Sequence, residues 1–161
     1  MPILKEINNW VIRLASWATI FFMAVIAIVI PYEVFGRYVI GSMSTWSGEV
    51  STYSLVWASM MGGAVGLKKG YQVGMTTVLE KVPPFVGKLL QGAGYFCMFG
   101  FLGIMVYFGA LQTLLNQNQT SPAMGIIMSL PYAALPIGFL FMFLITLEEF
   151  LQFLGLGVRE E

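Results

Sequence analysis

Residues 38–70 read YVIGSMSTWSGEVSTYSLVWASMMGGAVGLKKG. A long apolar run closes at the start of this stretch. A short polar turn follows, and a second run opens near Trp46 and stops at Lys68, Lys69 and Gly70. Two apolar runs joined by so short a turn predict a helical hairpin in a membrane, because helices satisfy their backbone polar groups without water. The stretch also holds Glu49, the only acid at the head of an apolar run, and two of the four Trp residues.

The rest of the chain extends this pattern. It has 161 residues, 58% apolar and 10% charged, whereas a soluble domain carries about 25% charged residues. Four runs are almost free of charge: 14–32, 50–67, 89–115 and 123–147. A spanning helix needs roughly 20 apolar residues, so all four are long enough. A transmembrane β-barrel would instead need alternating segments of about ten residues. The sequence therefore predicts an all-α integral membrane protein, a tilted four-transmembrane-helix bundle forming a single membrane domain over 1–161. The expected spans are 14–39, 46–67, 85–115 and 123–147. No stretch between them is long enough for a soluble enzyme or receptor domain.

Smaller features sit at the ends of these runs. Ile3, Leu4, Ile7, Trp10, Val11 and Leu14 recur at helical spacing, an amphipathic lead-in expected to run into the first span. Met75, Val78, Leu79 and Val82 predict a short interfacial helix closed by Pro83 and Pro84. Pro31 predicts a kink in the first span. Gly62 and Gly66 form a small-residue patch that suits close helix approach. Lys5 and Arg13 flank the first span, and Lys68, Lys69, Lys81 and Lys88 follow the second. The turn 116–122 carries no charge. This bias puts the N and C termini and the loop 68–84 on the cytoplasmic side. Trp10, Lys68, Lys69 and Lys81 are expected to anchor at the membrane interface, and the first span is expected to remain as an anchor.

Composition also excludes function classes. The chain has no His and no Asp, and Cys97 is its one cysteine. An intrachain disulfide is impossible, and a zinc site is not expected. No catalytic, cofactor or metal site is expected, and no basic cluster is dense enough for nucleic acid. Glu49 lies where a helix dipole favours a carboxylate. It could cap that end and pair with Arg37 across the hairpin, contact a partner subunit, or hold an ion. Glu33 and Arg37, one turn apart, are expected to pair. Trp57, in mid-span, is expected to pack on another helix or on a partner. Polar residues gather at the ends of the runs, not through them, which suits an accessory or scaffold subunit of a membrane complex better than a small independent transporter.

These motifs, taken in order, resemble the small membrane subunit (the DctQ-like small permease) of tripartite ATP-independent periplasmic (TRAP) transporters. Arg37, Tyr38 and Val39 followed by Trp46, Ser47, Gly48 and Glu49 are similar to that family's first hairpin. Trp57, Gly62, Gly63 and Ala64, then Lys68, Lys69, Gly70, Tyr71, Gln72 and Val73, closing at Leu79 to Pro83, carry the second piece. Ser121 and Pro122, with Pro131, Tyr132, Leu135, Pro136, Ile137 and Gly138, carry the third. Two positions depart from the pattern: the family has paired acids where Gly48 and Glu49 stand, and often His where Gln72 stands. The resemblance implies a non-enzymatic scaffold in the bacterial cell inner membrane. Its implied partners are a large permease subunit, a periplasmic substrate-binding protein and membrane lipids. The implied process is sodium-coupled uptake of an organic acid, a C4-dicarboxylate or sialic acid. On the resemblance, Arg37, Trp46, Glu49, Trp57, Gly62 and Gly66 are candidates for the large-permease interface. Gln117, Asn118 and Ser121 are candidates for contact with the binding protein.

Overall fold

A computed structural model describes residues 2–41, 44–79 and 83–154, without the side chains of residues 2, 3 and 71–79. Four long helices dominate it: α1 (Pro2–Phe35), α2 (Thr45–Leu79), α3 (Pro84–Leu115) and, after the single turn α4 (Ser129–Tyr132), α5 (Ala134–Phe153). No strand occurs among the described residues. Of these helices, α1 with its extension to Ile40, α3, and α4 with α5 are long and apolar enough to cross a membrane. The second is as long, at 35 residues, but more polar.

Helix ends follow local chemistry. The lead-in and the first apolar run form one helix, and Pro31 does not end it. Residues Gly36–Ile40 then widen into a π-helical turn. Gly41 stops the turn in the left-handed region at φ 70°, donating its N–H to the Gly36 carbonyl; glycine adopts that conformation without a Cβ penalty. Pro84 opens α3, where its missing N–H has no intrahelical partner to lose. In α4 and α5, Pro131 and Pro136 each stand third in their helix, again among the donors a helix start leaves free.

Two boundaries differ from the sequence reading. The second helix passes through Lys68, Lys69 and Gly70 without a break and reaches Leu79. Charge marks a change of solvent, and neither lysine nor an isolated glycine prevents the next helical hydrogen bond. The expected separate interfacial helix is the end of α2. The last helix begins at Ser129 and not at Ala123. Residues 119–128 fold back instead: Thr120 and Ile127 form a bridge, Ser121 N–H donates to the Ile126 carbonyl at 2.8 Å, and Gly125 takes φ 68°.

The first and second helices form one hairpin, α3 and α5 another, and the two meet through α2 and α5. Small side chains line the contacts. Ala15, Ala58, Ala64 and Ala134 are buried. A Cβ on Gly138 would stand 2.7 Å from the Met60 Cβ, and one on Gly109 would stand 3.1 Å from the Pro136 nitrogen. Aromatic edges join α3 to α5: Tyr95 meets Phe150 and Phe153, and Phe99 meets Phe143 and Phe150. Hydroxyls inside the helices bond back to the preceding turn, as Thr19 does to Ala15 and Thr146 to Met142, which satisfies them without water.

One polar residue of the α1 lead-in, Asn8, faces inward, while Lys5, Glu6, Asn9 and Arg13 stay exposed. Asn8, Ala15 and Val29 are buried, while Trp10, Leu14, Trp17, Phe21 and Ile28 are exposed. A soluble helix shows water its polar face. In lipid the outward face is apolar, and a polar residue faces the neighbouring helices.

Candidate functional site

The described residues bring polar chemistry together in two places, one at each end of the bundle. The first is built on Glu49, in the first turns of α2. Ser121 Oγ donates to Glu49 Oε2. The backbone N–H of Ala123 donates to Oε1 at 3.0 Å, and that of Met124 to Oε2 at 3.1 Å. Met124 N–H also reaches Ser121 Oγ at 3.3 Å. Both carboxylate oxygens are thus engaged by the turn that precedes α4. Such charge-assisted bonds are stronger than neutral ones, and they hold the turn that left-handed Gly125 and the Thr120–Ile127 bridge fold back on itself. Nearby, the Tyr53 hydroxyl lies 3.3 Å from Met128 Sδ, a second tie between α2 and this segment.

Arg37 does not pair with Glu49. Its guanidinium stands 3.4 Å from Glu33 Oε1 on the same helix end, as the one-turn spacing predicts. The π-helical turn carries Arg37 along the α1 side, while Glu49 is drawn toward the α3–α4 segment. Trp46 is exposed and lies 5.7 Å, ring to ring, from Tyr32. Trp57 stacks on Phe22 of α1 at 5.6 Å. Gly62 faces Thr19, whose methyl would lie 3.5 Å from an added Cβ, whereas an added Cβ on Gly66 meets nothing. Gln117 and Asn118 are exposed. Ser121 is only 3% exposed, and its hydroxyl is turned to Glu49.

The second constellation was not legible in the sequence. Glu148 of α5 accepts from Asn8 Nδ2 of α1 and from Lys68 Nζ of α2, each at 2.8 Å. The same Asn8 amide donates to the Leu144 carbonyl at 3.0 Å. Gln152 Nε2 approaches the other oxygen of Glu148 at 3.5 Å. Three helices therefore converge on one carboxylate, and Asn8 is fully buried there. Glu149 is also buried, and neither of its oxygens has a hydrogen-bond partner. The available signal was the unusual pair of acids after an apolar run, but nothing in the spacing names Asn8 as their partner. Lys68 is thus an ion-pair partner as well as an expected anchor; Lys69 is exposed. Lys81 lies outside the described residues.

No group of three or more metal-ligating side chains of the His, Cys, Asp and Glu type occurs among the described residues. The geometry holds helices in place: a backbone-gripping acid at one end and a three-helix ionic knot at the other.

The family model described as "Tripartite ATP-independent periplasmic transporters, DctQ component" matches residues 26–155. A Haemophilus influenzae protein, provisionally named TRAP transporter small permease protein, is 22% identical over 131 residues, 81% of this chain and 81% of that protein. The family match takes in the end of α1, the whole of α2 to α5, the Glu49 turn, and Lys68 and Glu148 of the knot but not Asn8, and the chain belongs to the DctQ family, the small-permease component of TRAP transporters.

Proposed function

We propose that this chain is the fixed scaffold of a TRAP transporter, packed against a large permease subunit in the bacterial inner membrane. The observation that carries the reading is the family match over residues 26–155, joined to a bundle whose polar groups tie helices to one another. On this reading the four long helices all cross the membrane, and the positive residues at 5, 13, 68, 69 and 81 put both termini on the cytoplasmic side. The Glu49 turn then faces the periplasm, where Gln117 and Asn118 are available to a substrate-binding protein. Ser121 positions that turn from beneath. The complex takes up an organic acid with sodium, a C4-dicarboxylate or sialic acid, and the moving parts and the substrate site belong to the large subunit.

Among the interface candidates, all but Gly66 have partners within the chain. Arg37, Trp46 and Gly66 keep surface for the large permease. Gly66 gives the cleanest test. A Cβ added there meets nothing within 4 Å and leucine is the better helix former, so Gly66→Leu is expected to leave the isolated chain at least as stable, as its melting midpoint would report. Its expected effect is lost co-purification with the large permease and lost organic-acid uptake in cells carrying all three components. Normal uptake in cells lacking this chain altogether would overturn the scaffold reading.

A further inference from the structure

We infer that the N-terminal part of α1 holds a zwitterionic aminophospholipid, with one acyl chain in the groove between α1 and α5. Glu6, Ile7, Trp10, Val11 and Leu14 of α1 and Phe141 of α5 line a cleft of about 480 Å3. That volume lies within the range of ligand-sized clefts, about 300–1,000 Å3. Its walls are apolar apart from Glu6.

The order of chemistry along the cleft selects the ligand. Glu6, Trp10 and Arg13 are spaced i, i+4 and i+7 and share one face of α1. Helical side chains lean toward the N-terminus, and the Arg13 guanidinium accordingly lies over the Trp10 ring, 5.4 Å from its centroid. From the middle of the helix outward, the cleft is lined by Leu14, Val11 and Phe141, then the Trp10 indole, then the Glu6 carboxylate, and the Arg13 guanidinium, outside the lining itself, stands on the Trp10 ring. A phospholipid with an ethanolamine headgroup has its parts in the same order: acyl chain, phosphate, primary ammonium. The guanidinium answers the phosphate, and Glu6 answers the ammonium. An anionic glycerol headgroup brings no cation to Glu6. A partner helix laid in the cleft would bury Glu6 and would have to bring a cation of its own to it. Trp10 and Leu14 are 64% and 61% exposed in the chain, open to the bilayer.

This inference rests on the membrane placement of α1 and not on the transporter reading, so its test needs neither partner nor uptake. The full chain is extracted from bacterial membranes containing phosphatidylethanolamine and phosphatidylglycerol, and retained lipids are counted by native mass spectrometry. One phosphatidylethanolamine per chain is expected, in preference to phosphatidylglycerol. An exposed ion pair supports a preference of about three-fold, which Glu6→Gln should abolish. Arg13→Gln should lower retention of both lipids. Glu6 is exposed, and an unchanged melting profile for Glu6→Gln separates lipid loss from unfolding. An identical lipid ratio in Glu6→Gln and the unaltered chain would overturn the proposal. So would a photo-crosslinker at Val11 that captures the large subunit in place of lipid when the two are co-expressed.

Discussion

Glu49 and Glu148 each stand near one end of the bundle, and they are held in opposite ways. Glu49 takes its donors from a single short segment: one hydroxyl and two backbone N–H groups within four residues. Glu148 takes its donors from side chains on two other helices, 140 and 80 residues away in sequence. The first acid shapes a turn and the second joins three helices. The comparison teaches that the same carboxylate chemistry can fix local backbone or global packing, depending on whether its donors are contiguous.

The largest expected effect follows from the three-helix knot. Glu148→Ala strands the Lys68 ammonium and takes one of its two acceptors from the Asn8 amide. Breaking a buried pair costs about 3–5 kcal/mol; Lys68 is 28% exposed against 9% for Glu148, so a loss near the lower end is expected in the unfolding midpoint in detergent. The double change Glu148→Leu with Lys68→Met should recover part of it, because the ion pair is removed as a unit, although the buried Glu149 then loses the nearby Lys68 charge. If the double variant were no better than the single one, the knot would owe its strength to Asn8.

A smaller, local effect is expected at the other end. Glu49→Ala removes acceptors from Ala123 and Met124, and a charge-assisted bond is worth about 1.5–3 kcal/mol. Amide exchange at those two residues should rise at least about tenfold while exchange within α3 and α5 stays put. Exchange rising equally along α5 would erase the distinction between a turn-forming acid and a helix-joining one.

The smallest effect is expected where the two devices are absent. The Glu33–Arg37 pair lies on one exposed helix end, and pairs of that kind contribute about 0.3–0.5 kcal/mol. Arg37→Ala should leave the melting midpoint of the isolated chain nearly unchanged. A loss of complex with the large permease in that variant would then report on the interface alone.

Much of this molecule was legible before any coordinates. The apolar runs located the long helices, and α3 runs Pro84–Leu115 against an expected 85–115. The spacing of Glu33 and Arg37 predicted their contact. Glu49 stood out because an acid at the head of an apolar run is uncommon. Its partner stayed open among Arg37, another subunit and an ion, because the Ala123 and Met124 amides that hold it carry no charge that a sequence displays. The length of α2 was misread because Lys68 and Lys69 report solvent rather than backbone conformation.

The sequence by itself determined the helices, because a backbone in lipid has to bond internally and long apolar runs leave it little other choice. Only the tertiary structure decided which face of each helix turns inward. In water, apolar periodicity marks the inside; in a bilayer the surroundings are as apolar as the core, and that mark disappears. Asn8 looked like the solvent side of an amphipathic lead-in and is the buried donor of the Glu148 knot. Its role depends on three helices arriving at one point, and no local pattern contains that information.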